Sequence, residues 1–182
     1  MIPKKIHTPL ADDVIRSLRA GDEILLSGVI LTARDAAHRR LFDMLKRGGR
    51  IPLDLRETAI YYAGPTPARP GRPIGACGPT TSSRMDAFTP ALLESGLAVM
   101  IGKGDRSPEV RRAIKKHAVV YFVATGGLGA LLSTKVKSSK VILFKELGPE
   151  AVHRLEVKDF PLTVAIDSKG NDIYDKAGWK KQ

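Results

Sequence analysis

Residues 89–124 read TPALLESGLAVMIGKGDRSPEVRRAIKKHAVVYFVA. Thr89-Pro90 has the form of a helix N-cap followed by proline, Ala91 to Ser95 continue the turn, and Gly96 stops it. The apolar run LAVMIG follows. Ser107-Pro108-Glu109 then repeats the helix-start signal, opens EVRRAIKKH, and leads into the more apolar AVVYFVA. Two short apolar strands separated by a helix need a crossover connection, so they lie parallel and side by side with the helix covering them. The stretch therefore predicts an α/β protein rather than an all-helical or all-β one.

Working outward, residues 11–18 predict a short helix with Asp12 and Asp13 in its first turn, and Gly21-Asp22 turns into the strand EILLSGVILTA at 23–33. A helix follows over 35–47, with Ala36, Ala37, Leu41, Met44 and Leu45 on the buried side, and Gly48-Gly49 closes it. AIYYAG at 59–64 predicts a strand. The Pro/Gly-rich TPARPGRP at 66–73 predicts a shaped surface loop and not a domain linker. KVILFKEL (140–147) and PLTVAID (161–167), with SKGND and IYD after them, predict further strands and a closing hairpin. No internal repeat is evident, and residues 1–182 are read as a single α/β domain.

Composition narrows the function classes. Thirty Lys and Arg against 19 Asp and Glu give a formal net charge of +11, which invites nucleic acid. The basic residues are nevertheless spread through KRGGR, RPGR, RRAIKKH and KVKSSK, and aromatics make up only 5%, so stacking platforms are few. Attraction of small anions fits the same charge. Cys77 is the one cysteine, which excludes an internal disulfide and a self-supplied iron–sulfur or zinc-thiolate site. The four histidines are scattered without the spacing of a zinc site. No apolar run reaches membrane-spanning length, and the N-terminal residues lack a signal-peptide core, which predicts a soluble cytoplasmic protein.

Three segments carry candidate chemistry. In Gly78-Pro79-Thr80-Thr81-Ser82-Ser83-Arg84-Met85-Asp86 a turn precedes four hydroxyls and an arginine at an expected loop-to-helix entry, where free backbone N–H groups favour an anion and the guanidinium adds a fork for a carboxylate. The plainer reading of the same residues is a helix cap with Arg84 paired to Asp86. Arg34, in TARDAAHRR, and Lys103, in MIGKG, each follow a predicted strand, at the carboxyl-end junctions where ligands collect in parallel sheets. His38 stands near Arg34. Gly126-Gly127-Leu128-Gly129 lacks the full dinucleotide fingerprint and reads as tight packing.

GPTTSSRMD, with TARDAAHRR, IYYAGPTPA and MIGKG, closely resembles the β subunit, or C-terminal domain, of class I iron–sulfur fumarate hydratases and the related L-tartrate dehydratases, and the resemblance runs from KKIHTPL to NDIYDKAG. It implies a swivelling β/β/α domain with a mixed sheet and flanking helices. It further implies an α subunit that ligates a [4Fe-4S] cluster, an α2β2 assembly, and a site shared between the chains. In that pattern Arg34, Arg84 and Lys103 clamp a C4 dicarboxylate, Thr81 assists binding, and Thr80 is the proposed base, with a purely positioning role as its alternative and Thr81 as a substitute. Fumarate hydration is the leading activity, tartrate dehydration the alternative, and a non-enzymatic anion- or RNA-binding module the rival from another class.

Overall fold

A computed structural model describes residues 2–176. Five strands run parallel: β1 (Lys4–His7), β2 (Glu23–Thr32), β3 (Ala59–Tyr61), β4 (Val99–Gly102) and β5 (Val120–Val123). The fifteen-residue strand β7 (Val152–Ile166) is antiparallel to β5, to β2 and to β6 (Val136–Leu143). Because β7 reaches from Tyr121↔Ile166 at one end to Leu31↔Arg154 at the other, it closes β2, β3, β4 and β5 into a small ring. The result is a mixed sheet with flanking helices, as expected.

Alternation along the strands fills two cores. Ala59 and Tyr61, Val99 and Ile101, Val120 and Phe122, and Leu162 and Val164 join one buried cluster inside the ring. Their neighbours Ile60, Tyr62, Met100, Tyr121 and Ala165 face the other way, into a second cluster. Both faces are buried, which is why these strands read as continuous apolar runs. The second cluster is roofed by α2 (Asp35–Lys46), α3 (Thr89–Glu94) and α4 (Pro108–His117) through Leu41, Leu92, Leu93, Val110 and Ile114. The helix α1 (Asp12–Ser17) places Ile15 in the first cluster, which Leu18 joins just beyond it.

Several local expectations change. Ser107 caps α4 as predicted, accepting a hydrogen bond from the Val110 amide at 3.3 Å. Thr89 is not the cap of α3; Phe88 is, and the Thr89 hydroxyl donates back to the Met85 carbonyl at 2.9 Å. In α2 the buried residues are Ala37, His38 and Leu41, while Ala36, Met44 and Leu45 are only partly covered. Residues 173–175 are helical, in α6 (Ile173–Lys176), because Asp172 turns the chain by accepting the Tyr174 amide at 2.8 Å. Strand β1 and the helix α5 (Gly129–Ser133) had no signal in periodicity, being four and five residues long. Among the described residues no helix is long and apolar enough to cross a membrane.

Gly102, the last residue of β4, is required by close approach. A Cβ there would collide with the Ser82 hydroxyl and lie 2.8 Å from the Tyr62 ring. Gly102→Ala is expected to destabilise the chain by about 1–3 kcal/mol, as overpacking of a filled core does. Urea unfolding of both proteins measures it, and an unchanged midpoint would contradict the packing described.

Candidate active site

The site is built at the carboxyl ends of the parallel strands, where the connections leave β2, β3, β4 and β5. After β3 the chain passes through Tyr62 and a long loop, returning at Gly78. That loop is shaped: the Thr66 amide meets the Ala76 carbonyl and the Gly75 amide meets the Thr66 carbonyl, both at 3.0 Å. Tyr61 donates its hydroxyl to the Cys77 carbonyl at 2.8 Å, and the Cys77 amide reaches the Gly129 carbonyl at 3.0 Å. A Cβ on Gly129 would lie 2.9 Å from the Gly78 nitrogen, so that glycine serves tight packing as read from the sequence.

Thr81 is extended and bridges the sheet, and Thr80 is bonded to it by its amide. The Thr80 amide donates to the Tyr62 carbonyl at 2.7 Å, Thr81 bridges Lys103 in parallel fashion, and the Ser82 amide donates to the Lys103 carbonyl at 2.9 Å. The amides of Thr80 and Ser82 are therefore used by the sheet and do not wait for an anion; the expected loop-to-helix entry starts only at the short 3-10 turn Ser82–Met85. Ser82 points inward. Its Oγ accepts the Lys103 amide at 3.0 Å and lies 2.8 Å from the Tyr121 Oη, which is 2.8 Å from the Gly104 carbonyl. A phenol has one proton and the carbonyl can only accept, so Tyr121 donates to Gly104 and Ser82 donates to Tyr121.

Thr81 and Lys103 line one cleft of about 390 Å³ with Gly104, Thr125, Gly126 and Tyr174. Arg34 and Arg84 meet elsewhere on the same rim. Both grip Asp35 through Nε, Arg34 at 3.1 Å and Arg84 at 2.7 Å, and Arg34 also approaches Glu150 at 3.5 Å. Arg84 does not pair with Asp86, the plainer reading of the motif. Both contacts to Asp35 use Nε, and a guanidinium held in this way can present its terminal nitrogens as a fork to a carboxylate. Partial burial pushes the Asp35 carboxyl up, but the Arg34 hydrogen bond, a backbone amide and the charges of Arg84 and Arg34 outweigh it and hold the group below the ordinary carboxylate range. Gly64 makes room for this pair, since a Cβ there would stand 3.1 Å from Arg34 Cδ. The five predicted residues are thus brought to one end of the sheet, in two groups joined by the segment 80–84.

Behind them lies a group that sequence reading missed. Arg106 is buried, its side chain wholly inaccessible, with Nε on Asp86 at 2.7 Å and Nη2 donating to the Thr89 hydroxyl at 2.8 Å. Its only signal was position, two residues past MIGKG. Glu150 had none, because it reaches the α2 N-terminus, accepting the Ala36 amide at 2.7 Å, from 114 residues away. His38 is fully buried on α2, 3.3 Å from the Arg34 carbonyl through Nδ1 and edge-on to Tyr62 at 5.0 Å.

The residues present do not fit an iron–sulfur cluster. Cys77 is the one sulfur ligand of its kind, buried, with its thiol pushed up to about 12 by that burial, and no group of three metal-ligating side chains occurs among the described residues.

Hydroxyls and cations gather here at the carboxyl ends of parallel strands, the place where ligands collect in α/β folds. The chain belongs to the Fumarase C-terminus family, which matches residues 4–177. It is 39% identical over 158 residues to fumarate hydratase 2 of Leishmania major, covering 86% of this chain and 28% of that protein. It is 40% identical over 172 residues to a putative L(+)-tartrate dehydratase subunit beta of Methanocaldococcus jannaschii, covering 91% and 88%. The L(+)-tartrate dehydratase subunit beta of Escherichia coli is 36% identical over 175 residues, covering 93% and 86%. The chain thus spans just over a quarter of the length of the fumarate hydratases it matches and most of the length of the tartrate dehydratase subunits.

Proposed function

We propose that this chain is the β-type part of a hydro-lyase that reversibly hydrates fumarate to malate, at a site shared with an α subunit carrying the [4Fe-4S] cluster. The observation that carries the reading is the Thr81↔Lys103 bridge, which sets the hydroxyl-rich motif beside the one lysine at the end of β4. Arg34, Arg84 and Lys103 clamp the two carboxylates of a C4 dicarboxylate, each charge-assisted contact contributing roughly 1.5–3 kcal/mol. Thr81 adds a hydrogen bond. Thr80 handles the proton at C3, and its neutral hydroxyl needs a nearby charge or relay to act as a base. Fixing both carboxylates orients the C2–C3 bond, so bound geometry supplies a share of the rate. The chain acts as one unit over residues 1–182 with the swivelling β/β/α arrangement, in an α2β2 assembly in the cytoplasm.

The test is anaerobic reconstitution with a cluster-bearing partner, assayed with fumarate, malate and L-tartrate. Fumarate–malate interconversion by the pair, and none by either chain alone, is the expected result. Turnover of tartrate in its place selects the alternative substrate, which the equally similar tartrate dehydratase relatives support. A stoichiometric cluster on this chain alone would overturn the division of labour, and tight RNA binding at physiological salt without hydro-lyase activity would favour the non-enzymatic module.

A further inference from the structure

We propose that Arg106 is a positioning residue that locks Thr80, Arg84 and Lys103 into one rigid unit from beneath. The proposal rests on the hydro-lyase reading above for what that unit binds, and on geometry for the unit itself. Thr80 and Arg84 lie on one segment, which the Thr81↔Lys103 bridge and the Ser82 amide join to Lys103, and the groups that hold this segment from beneath converge on the same buried guanidinium.

The 3-10 turn that carries Arg84 ends at Asp86, whose Oδ1 takes Arg106 Nε and whose Oδ2 takes the Ser107 amide, both at 2.7 Å. The next turn is held through Thr89, whose hydroxyl accepts from Arg106 Nη2 while donating to Met85. The guanidinium lies over the rings of both Tyr62 and Tyr121, with ring centres 5.4 Å and 5.0 Å from Cζ. These two rings are not passive walls. The Tyr62 backbone carbonyl holds the Thr80 amide, and Tyr62 Oη is 3.4 Å from Arg106 Nη1. The Tyr121 hydroxyl joins Ser82 to Gly104, and Ser82 in turn receives the Lys103 amide.

A planar, always-charged fork is the group this cage requires. It offers in-plane donors at three angles and two faces for stacking, whereas an ammonium offers neither a plane nor fixed directions. A buried ion pair contributes little net stability, and a role in holding one arrangement against others accounts better for an arginine with no solvent contact.

Arg106→Lys and Tyr121→Phe test this, with Leu18→Ala, in the cluster inside the ring, as a control for general destabilisation. The first readout is amide hydrogen exchange on the chain by itself, which does not depend on its activity. At matched global stability the amides of Thr80, Ser82 and Lys103 are expected to exchange about tenfold or more faster in Arg106→Lys than in Leu18→Ala, with β2 and β7 unaltered. The second is catalysis with the cluster-bearing partner below the unfolding temperature, where kcat/KM for malate falls about tenfold or more in Arg106→Lys and stays near wild type in Leu18→Ala. Should Arg106→Lys fail to fold, Tyr121→Phe, which removes one hydroxyl, is expected to raise exchange at Ser82 and Lys103 alone. Equal exchange in the variant and the control overturns the proposal. A wild-type pair inactive on all three acids overturns the hydro-lyase reading instead and leaves the exchange result to decide the positioning role.

Discussion

Thr80→Val, paired with its cluster-bearing partner, is expected to lose roughly 10²-fold or more in kcat while binding malate nearly as before, the loss typical of a missing acid–base group. Valine keeps the shape of threonine, and the Thr80 amide still reaches the Tyr62 carbonyl, so the backbone arrangement survives. Exchange of the C3 hydrogen with solvent should fall with kcat. Arg84→Lys gives the contrasting pattern. It keeps the charge but loses the fork that meets Asp35 through Nε, so binding and turnover weaken together. Near-normal kcat and exchange in Thr80→Val would remove Thr80 from the chemistry. The same assay on Thr81→Val would then decide whether its exposed neighbour, which lines the cleft with Lys103, takes the role.

The second large effect is on stability and belongs to His38. Full burial drives its imidazole pKa from 6.5 down to about 4, since charging it would desolvate a cation, and the charge of Arg106 opposes it further. The Arg34 carbonyl can only accept, so Nδ1 carries the proton and Nε2 stays bare, with no partner among the described residues. The folded chain therefore refuses a proton that the unfolded chain takes up between pH 6.5 and about 4. Stability is fully present above pH 6.5, falls as the pH drops through that window, and changes no further from this source below about 4. A difference of that size corresponds to about 3 kcal/mol. Asp22, Asp35 and Asp167, whose carboxyls are held below 3.8, act at lower pH, whereas His153, lowered by burial, and Asp172, raised by burial, bear on the same window, so the His38 share is read as the difference in slope between the wild type and a variant that changes His38 alone. His38→Asn, whose amide can donate to the same carbonyl, is expected to flatten the stability profile between pH 6.5 and 4. Urea unfolding across the window measures this, and identical slopes in both proteins would contradict a buried neutral histidine.

The amino-acid sequence by itself determined strands β2 to β5 and where the candidate polar residues stand along the chain. Continuous apolar runs at β3, β4 and β5, buried on both faces, and the Ser107-Pro108 start of α4 are local signals, and they stand where the residues put them. Arg34 and Lys103 were legible as polar residues standing where apolar strands stop, and the hydroxyl-rich motif as a turn followed by hydroxyls and an arginine. Only the tertiary structure decided the pairings. Closure of the ring depends on β7 reaching β2 across about 130 residues, and no local period encodes a partner that distant. Arg84 chose Asp35 over the nearer Asp86 because Asp86 was already committed to Arg106 and the Ser107 amide. The amides of Thr80 and Ser82 were claimed by the ends of β3 and β4, which no rule about helix entries foresees. Arg106 had no reading of its own in a chain of net charge +11, and it became a buried centre because Tyr62, Tyr121, Asp86 and Thr89, separated by up to 59 positions in sequence, all meet it.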